Sequence, residues 1–272
     1  MAGGVNNFGT TIGPLLVSFA IFGSVSAGGT EASIESVKTP YLVLGAAFVL
    51  VALFLKFSSL PNQIDLEGVA ADEAKDASKL VHDKSAFAYP QLVLGMVAIF
   101  VYVGVEVSTI ANLPAYLELP AEQGGLGIAT ALIAPFVSLY WASLMIGRWA
   151  GAAGAFEVRI NTRRMLTVLL PYLAFGVFLA VNSIARHEIS HFFVYGFVIV
   201  LMIAATFASG GNPARMLLLF SLCGIAALLV GMSTSGMTSV VAFISVGLFC
   251  SIMWPCIFTL AITGLGRNTN QG

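Results

Sequence analysis

Charged residues are scarce in this sequence: 9% of its 272 residues are Asp, Glu, Lys or Arg, whereas 58% are hydrophobic. A soluble domain usually carries about a quarter of its residues as charged side chains. So few charges exclude a soluble globular fold and an intrinsically disordered chain. The 12 Lys and Arg nearly balance the 13 Asp and Glu, which excludes a basic nucleic-acid-binding protein. A polytopic membrane protein is the class that remains.

Cysteine is also scarce, and Cys223, Cys250 and Cys256 all lie inside apolar runs. A free Cys in such a setting behaves as a small hydrophobic residue, so no disulfide framework is predicted. The first 26 positions contain no Lys or Arg. A secretory signal peptide begins with positive charge, so none is expected in these positions. We expect the chain to begin within a larger architecture.

Long apolar runs are abundant, and a helix needs about 20 such residues to cross a bilayer. Their number predicts an all-α fold, a polytopic transmembrane bundle with about eight membrane-spanning helices. The predicted spans are 8–26, 40–57, 88–112, 128–150, 166–184, 191–209, 214–232 and 237–262.

Residues 58–85 interrupt this pattern with six acidic residues among several lysines. Their composition predicts a solvated linker between two groups of helices. The predicted units are therefore the end of one bundle at 1–57, the linker at 58–85, and a second bundle at 86–272.

The basic residues predict an orientation, because short cytoplasmic loops carry the excess of Lys and Arg. Only Lys38 and Arg186 fall on one set of faces. The other set holds Lys56, Lys75, Lys79, Lys84, Arg148, Arg159, Arg163, Arg164, Arg215 and Arg267. Both ends of this chain and the linker are thus predicted to be cytoplasmic.

Glu106 is an ionisable residue inside a predicted span, where a carboxylate is costly unless it faces a cavity or a partner. At 100° per residue, it shares one helix face with Gln91, Gly95, Tyr102 and Thr109. The stripe predicts either a solute or proton site or a structural hydrogen bond between helices.

Two other spans carry candidate site residues. In 128–150, Tyr140 shares a face with Ser143 and Gly147, which predicts close helix packing with Tyr140 projecting at the same seam. In 237–262, Pro255 predicts a kink, and Trp254 lies well inside the apolar run. Trp254 is interpreted either as a stacking platform for a sugar or as lipid-facing bulk.

His187, Glu188 and His191 spell HEISH, which on a helix is a zinc metalloprotease motif. A catalytic zinc needs a third protein ligand. The remaining histidine, His82, lies in the predicted linker, and no Asp follows Asp83. A loop at the membrane edge is therefore favoured over a metal site.

Several motifs in sequence order resemble the fucose permease-like sugar:proton symporters of the major facilitator superfamily. They are VNNFGTTIGP at 5–14, VKTPY at 37–41, YVGVEVS at 102–108, YWASLMIGR at 140–148, and SIMWPCIFTLAITGLGRNTNQG at 251–272. The resemblance implies a partial major facilitator fold without the first four and last two helices, and with an extra hairpin at about 165–209. It also implies helical bundles that rock around a central sugar site.

The resemblance further implies roles for individual residues. Asn6 falls where a sugar-contacting amide is expected, and Trp254 where a cavity aromatic is expected. Glu106 matches an acidic or amide position of the seventh helix. Tyr102, Gln91 and Tyr140, which come from the polar helix faces and not from the resemblance, complete the candidate sugar-binding set, and Glu106 is the candidate proton-coupling residue.

The predicted function is proton-coupled uptake of a hexose-type sugar in a bacterial inner membrane. The expected partners are the sugar, the proton and membrane lipid, with no nucleic acid. The complete form is expected to be monomeric, without cofactor or bound metal and without enzymatic activity. The alternatives are an intramembrane zinc protease that uses the HEISH motif and a non-transporting truncated remnant.

Overall fold

The computed structural model describes residues 11, 13, 15, 34–57, 86–153 and 159–265. Every regular element in these ranges is helical. In chain order the α-helices are α1 Ile34–Phe57, α2 Pro90–Glu118, α3 Ala134–Ala152, α4 Ile160–Ile184, α5 Tyr195–Ala208, α6 Pro213–Ser233, α7 Gly236–Cys250 and α8 Met253–Ile262.

Six helical stretches in the described part of the chain are long and apolar enough to cross a bilayer. They correspond to the six spans predicted between residues 88 and 262, with α7 and α8 together forming the last one. The predicted all-α polytopic bundle is therefore confirmed. Helix α1 covers the predicted span 40–57, but its apolar part, Tyr41–Phe54, is shorter than the other six stretches. Of the predicted span 8–26, residues 11, 13 and 15 are described, and all three are helical.

The helix starts follow from local sequence. Pro90 and Pro213 occupy the first turns of α2 and α6, where a missing backbone N–H costs no intrahelical hydrogen bond. Before α6, the Asn212 side chain accepts hydrogen bonds from the backbone N–H groups of Ala214 and Arg215. This cap satisfies two of the donors that the first turn of a helix leaves unpaired.

The centre of the bundle is formed by α3 and the broken helix α7–α8. In the membrane windows of these two stretches, 67% and 72% of the residues are buried, against 17% for α2 and 22% for α6. Helix α3 packs against α4 and α7, and α7 packs against α6 and α2. The outer helices therefore keep broad apolar faces for lipid, whereas α3 and α7 lie among protein side chains.

The predicted extra hairpin at about 165–209 forms α4 and α5 and joins the bundle through aromatic rings. Phe192, in the turn before α5, packs edge-on against Phe136 of α3 and Phe178 of α4, with ring centroids 5.2 and 5.5 Å apart. Edge-to-face pairs of this kind add stability beyond the area that they bury. The hairpin is thus an integral part of the helical bundle.

The break in the last span is confirmed. Helix α7 ends at Cys250, α8 begins at Met253, and Ser251 and Ile252 form a buried turn between them. Pro255 lies in the first turn of α8. The predicted linker 58–85 lies outside the described residues, so the domain boundaries stay a prediction.

Polar contacts tie the helices together at both ends of the bundle. At one end, the Tyr116 hydroxyl lies 2.7 Å from the Gly124 carbonyl oxygen and 2.8 Å from Ser239 Oγ. At the other end, Gln91 Nε2 donates to the Thr263 carbonyl at 3.4 Å. These contacts join the two ends of α2 to the beginning of α7 and the residue after α8.

Candidate functional site

Glu106 lies at the centre of a polar cluster between α2 and α3, called here the Tyr–Glu cluster and formed by Tyr102, Glu106 and Tyr140. The Tyr102 hydroxyl, one turn earlier on α2, donates to Glu106 Oε2. The Tyr140 hydroxyl donates to the backbone carbonyl of Glu106 at 2.7 Å. Both tyrosines are buried, whereas Glu106 is half-buried. The three residues that the sequence singled out are therefore brought together.

Helix α7 positions the Tyr140 ring through a glycine. A Cβ atom added at Gly247 would lie 3.1 Å from Tyr140 Cε2 and 3.1 Å from the Tyr140 carbonyl oxygen. Because Gly247 has no side chain, the ring and backbone of Tyr140 approach α7 closely, and a Cβ atom there would require Tyr140 to shift by a few tenths of an ångström. The edge of Trp141 also approaches the ring, with centroids 5.9 Å apart. Tyr140 is fully buried as a result.

The cluster lies deep within the membrane-spanning part of α2. Glu106 follows Pro90 by about 24 Å along the helix and precedes Glu118 by about 18 Å, at 1.5 Å per residue. A carboxylate at this depth is expensive and needs polar partners. Tyr102 is the side-chain partner that the structure provides.

The carboxylate of Glu106 retains capacity for further hydrogen bonds. Two carboxylate oxygens offer about four acceptor positions, and Tyr102 occupies one of them. The arrangement can therefore accept hydrogen bonds from a polyhydroxylated solute or take up a proton.

Gln91 is not part of this cluster. It lies at the first turn of α2, about 22 Å along the helix from Glu106. Its side chain donates to the Thr263 backbone at the end of α8. Between Gln91 and Tyr102, Gly95 packs against Ala261 of α8. The stripe predicted on α2 thus divides into a helix-packing part and a cluster part.

Trp254 lies on α8, with 47% of its surface exposed. Its ring stacks on Phe258, with centroids 5.3 Å apart and an interplanar angle of 6°. Trp254 follows Gly247, the Tyr140 contact, by about two helical turns across the break. It takes no part in the hydrogen bonds of the Tyr–Glu cluster. Asn6, the remaining candidate, lies outside the described residues.

A second polar cluster was not predicted from the sequence. It is called here the Ser–Tyr cluster and consists of Ser143 and Tyr195. The Tyr195 hydroxyl lies 2.6 Å from Ser143 Oγ. Both residues are buried. Ser143 was identified only as part of a packing face, and nothing in the position of Tyr195 connects it to Ser143.

The HEISH residues do not form the helical motif that zinc proteases use. Residues 187–189 lie in a loop, and a short 3₁₀ helix, Ser190–Phe192, follows. The motif requires its two histidines to lie on successive turns of one α-helix, and His187 and His191 do not. Among the described residues, no group of three or more His, Cys, Asp or Glu side chains could hold a metal ion.

These residues instead line an apolar cavity of about 390 Å³ beside the N-terminal end of α3. Its wall is mainly aliphatic and aromatic, and it includes Leu126, Phe136 and Phe192. Burial lowers the pKa of His187 from its usual 6.5. Hydrogen bonds from Ser190 lower the pKa of Glu188 from its usual 4.5. The cavity therefore favours a neutral imidazole beside an ionised carboxylate.

Comparison with known proteins finds relatives along almost the whole chain. The chain is 29% identical over 267 residues to a glucose/galactose transporter of Brucella abortus, covering 98% of this chain and 49% of that protein. It is 28% identical over 272 residues to a putative glucose/galactose transporter of Helicobacter pylori, covering 98% of this chain and 50% of that protein.

The chain thus spans about half the length of the curated relatives that it matches. No protein-family model matches it, and no solved structure matches it significantly. The similarity to sugar transporters indicated by the motifs is confirmed by relatives that carry this name.

Proposed function

We propose that this chain forms part of a secondary active transporter that takes up a hexose-type sugar together with protons by alternating access. The observation that carries the proposal is the position of Glu106, a carboxylate deep in a membrane-spanning helix that is bonded to Tyr102 and retains acceptor capacity. Ionisable residues inside the membrane mark solute and ion pathways. The names of the relatives support a sugar as the substrate class.

In this proposal Glu106 binds both the proton and the sugar. As a carboxylate it accepts hydrogen bonds from sugar hydroxyls. Proton uptake turns one oxygen into a donor and removes the charge, which changes the hydrogen bonds that the group can form. Tyr102 orients the carboxylate, and Tyr140 holds the backbone at the same residue. Coupling requires only that the occupied site favours one of two exchangeable conformations.

Trp254 and Asn6 are proposed as further sugar contacts. Phe258 covers one face of the Trp254 ring, and the other face can stack on a pyranose ring. Asn6 would supply an amide for the sugar hydroxyls. Gln91 lies too far from Glu106 for one hexose to contact both, so its proposed part is limited to holding the ends of α2 and α8 together.

The protein is an integral membrane protein, as its membrane-length helices and its transporter relatives indicate. We place it in a bacterial inner membrane with both ends of this chain in the cytoplasm, because the basic residues collect on that side. In this orientation Gln91 and Thr263 lie near the cytoplasmic surface, and the His187 cavity opens on the opposite side. The complete transporter is proposed to act as a monomer.

The proposal is tested by sugar uptake into proteoliposomes under an imposed pH gradient. Labelled glucose, galactose and fucose are compared for this chain alone and for this chain joined to the half of a relative that the alignment leaves uncovered. Sugar accumulation that collapses with the pH gradient is expected for the joined chain. Absence of uptake of all three sugars by the joined chain would contradict the transporter proposal.

Glu106→Gln should reduce uptake by about ten- to a hundred-fold, because a hydrogen bond to a charged group contributes about 1.5–3 kcal/mol. Glu118→Gln is the matched control, since Glu118 is an exposed residue at the end of the same helix and contacts Thr130. Equal uptake by the two variants would contradict a role for Glu106 in the site.

A further inference from the structure

The Ser251 carbonyl lies in the break between α7 and α8 and cannot have its usual helical donor. In a continuous helix, the carbonyl of residue 251 accepts a hydrogen bond from the N–H of residue 255. Residue 255 is a proline and has no N–H. Ser251 is fully buried, so water cannot replace the missing donor. An unpaired buried carbonyl of this kind carries a large desolvation cost.

Arg148 of α3 provides the missing donor. Its Nε atom donates to the Ser251 carbonyl oxygen at 3.4 Å. The Ser251 hydroxyl donates to a different carbonyl, that of Leu248, at 2.6 Å. Gly147 makes this approach possible, because a Cβ atom there would lie 1.7 Å from Ser251 Oγ. Ser251 is thus both the residue that Gly147 packs against and the residue that accepts the hydrogen bond from Arg148.

We propose that Arg148 is the positioning residue of the α7–α8 break: its guanidinium replaces the N–H that Pro255 removes and so fixes the direction of α8. An arginine suits this place because its charge strengthens the hydrogen bond and its planar group offers several donors. The assignment concerns the geometry of the break and does not depend on which solute is carried.

The break adjoins the Tyr–Glu cluster, so the role proposed for Arg148 also bears on the geometry of that cluster. Gly247 of α7, three residues before its end at Cys250, lies against Tyr140 of the cluster, since a Cβ atom there would be 3.1 Å from Tyr140 Cε2. Trp254 lies in the first turn of α8, directly after the break. The orientation of α8 therefore sets where Trp254 lies relative to the cluster, and Arg148 holds that orientation.

The native thiols on either side of the break report its opening. Cys250 and Cys256 are buried, and Cys223 on α6 is half-buried and serves as an internal reference. The experiment measures the maleimide labelling rate of each thiol by mass spectrometry, on the full chain in proteoliposomes without sugar. The variants are Arg148→Met, Pro255→Ala and the double variant that carries both changes.

In the Arg148→Met variant, maleimide should label Cys250 and Cys256 about ten-fold faster than in the unsubstituted chain. Losing a charge-assisted hydrogen bond shifts a local opening equilibrium by about that factor. The rate at Cys223 should not change. In the Pro255→Ala background the backbone N–H is restored, so the same Arg148→Met change should raise the rates less than two-fold. Arg148→Leu, which also has no donor, gives the same comparison if Arg148→Met is not recovered from the membrane.

An equal increase in both backgrounds would overturn the proposal, because Arg148 would then act through packing or another partner. Unchanged rates in Arg148→Met would overturn it as well, since the hydrogen bond would not restrain α8. Neither result bears on sugar uptake, so failure of this inference is distinguishable from failure of the proposed function.

Discussion

The Tyr–Glu cluster and the Ser–Tyr cluster lie side by side on α3, where Tyr140 and Ser143 are three residues apart. Each links α3 to another helix by a tyrosine hydroxyl bond, of 2.7 Å in the first cluster and 2.6 Å in the second. The two clusters differ in how many of their hydrogen-bonding positions remain unused. The carboxylate of Glu106 is half-buried and has acceptor positions to spare. The Ser–Tyr cluster is buried, its two hydroxyls are hydrogen-bonded to each other, and Ser143 also donates to the Leu139 carbonyl oxygen.

This difference separates a binding site from a structural contact. A buried polar network whose members are all paired stabilises one arrangement of helices and has little left to offer a ligand. A network with an incompletely paired charged group at its edge can bind a solute, because the solute completes it. We therefore expect changes in the Ser–Tyr cluster to lower stability and changes in the Tyr–Glu cluster to lower uptake.

The largest effect should come from Gly147→Ala, which disturbs the helix crossing that supports both clusters. The added Cβ would lie 1.7 Å from Ser251 Oγ and 2.5 Å from Ser251 Cβ, so α3 and α7 must move apart. Overpacking of this kind costs about 3 kcal/mol, and both stability and uptake should fall. Gly151→Ala is the control, since its Cβ would lie 3.9 Å from Ile252. Equal thermal stability of the two variants in detergent would contradict this view of the crossing.

A second test removes the partner of Tyr195 while the Tyr–Glu cluster stays intact. Ser143→Ala takes away the hydroxyl that lies 2.6 Å from the fully buried Tyr195 hydroxyl, which should lower the free energy of unfolding by about 1–3 kcal/mol. Adding Tyr195→Phe removes the unpaired hydroxyl and should recover most of this loss. Uptake per folded molecule should stay unchanged throughout. A specific loss of uptake would place the Ser–Tyr cluster in the transport site.

A third test changes the tyrosines of the Tyr–Glu cluster. Tyr140→Phe should reduce uptake affinity about three-fold, because an interhelical hydrogen bond in a membrane contributes about 0.6 kcal/mol. Tyr102→Phe should have the larger effect, since it removes the side-chain partner of the carboxylate. Initial uptake rates over a range of sugar concentrations measure both. A larger effect of Tyr140→Phe would show that the backbone contact matters more than the carboxylate contact.

The smallest effect should appear at His187, outside both clusters. Its pKa is lowered by burial, so the unfolded loop binds a proton at a higher pH than the folded loop does. Loop stability should therefore fall as the pH drops below about 6.5. The lowered pKa of Glu188 acts in the same direction, but only below its usual 4.5. Between pH 7.5 and 5.5, the change is therefore due to His187.

Hydrogen exchange of residues 185–194 at about pH 7.5 and 5.5 measures this effect. His187→Gln should remove the pH dependence. His191→Gln is the matched control and should retain it, because His191 is exposed in the same loop. Equal exchange at the two pH values in the unsubstituted chain would contradict the expected stabilisation.

Apolar length predicted most of the fold, because a membrane-spanning helix needs an apolar run of fixed size. All six spans between residues 88 and 262 were found as predicted. The break near Pro255 was also predicted, since proline removes a specific hydrogen bond. Helical periodicity correctly placed Tyr102 and Glu106 on one face.

The contacts between helices were less predictable, because they depend on how segments distant in sequence cross one another. Glu106 and Tyr140 were both candidates, but nothing in their spacing showed that the Tyr140 hydroxyl would bond to the Glu106 backbone. Gln91 shared a face with Glu106, but distance along the helix separates them. The partnership of Arg148 with Ser251 required the crossing at Gly147 to be known.

The burial of α3 has a consequence for how the sequence of this chain can change during evolution. Its residues meet α2 at Tyr140, α5 at Ser143 and the α7–α8 break at Gly147. A substitution on almost any face of α3 therefore needs a matching change in another helix. On α2 and α6, most faces meet lipid, and one aliphatic residue can replace another there at little cost. Among the helices of this bundle, α3 is expected to tolerate the least sequence drift.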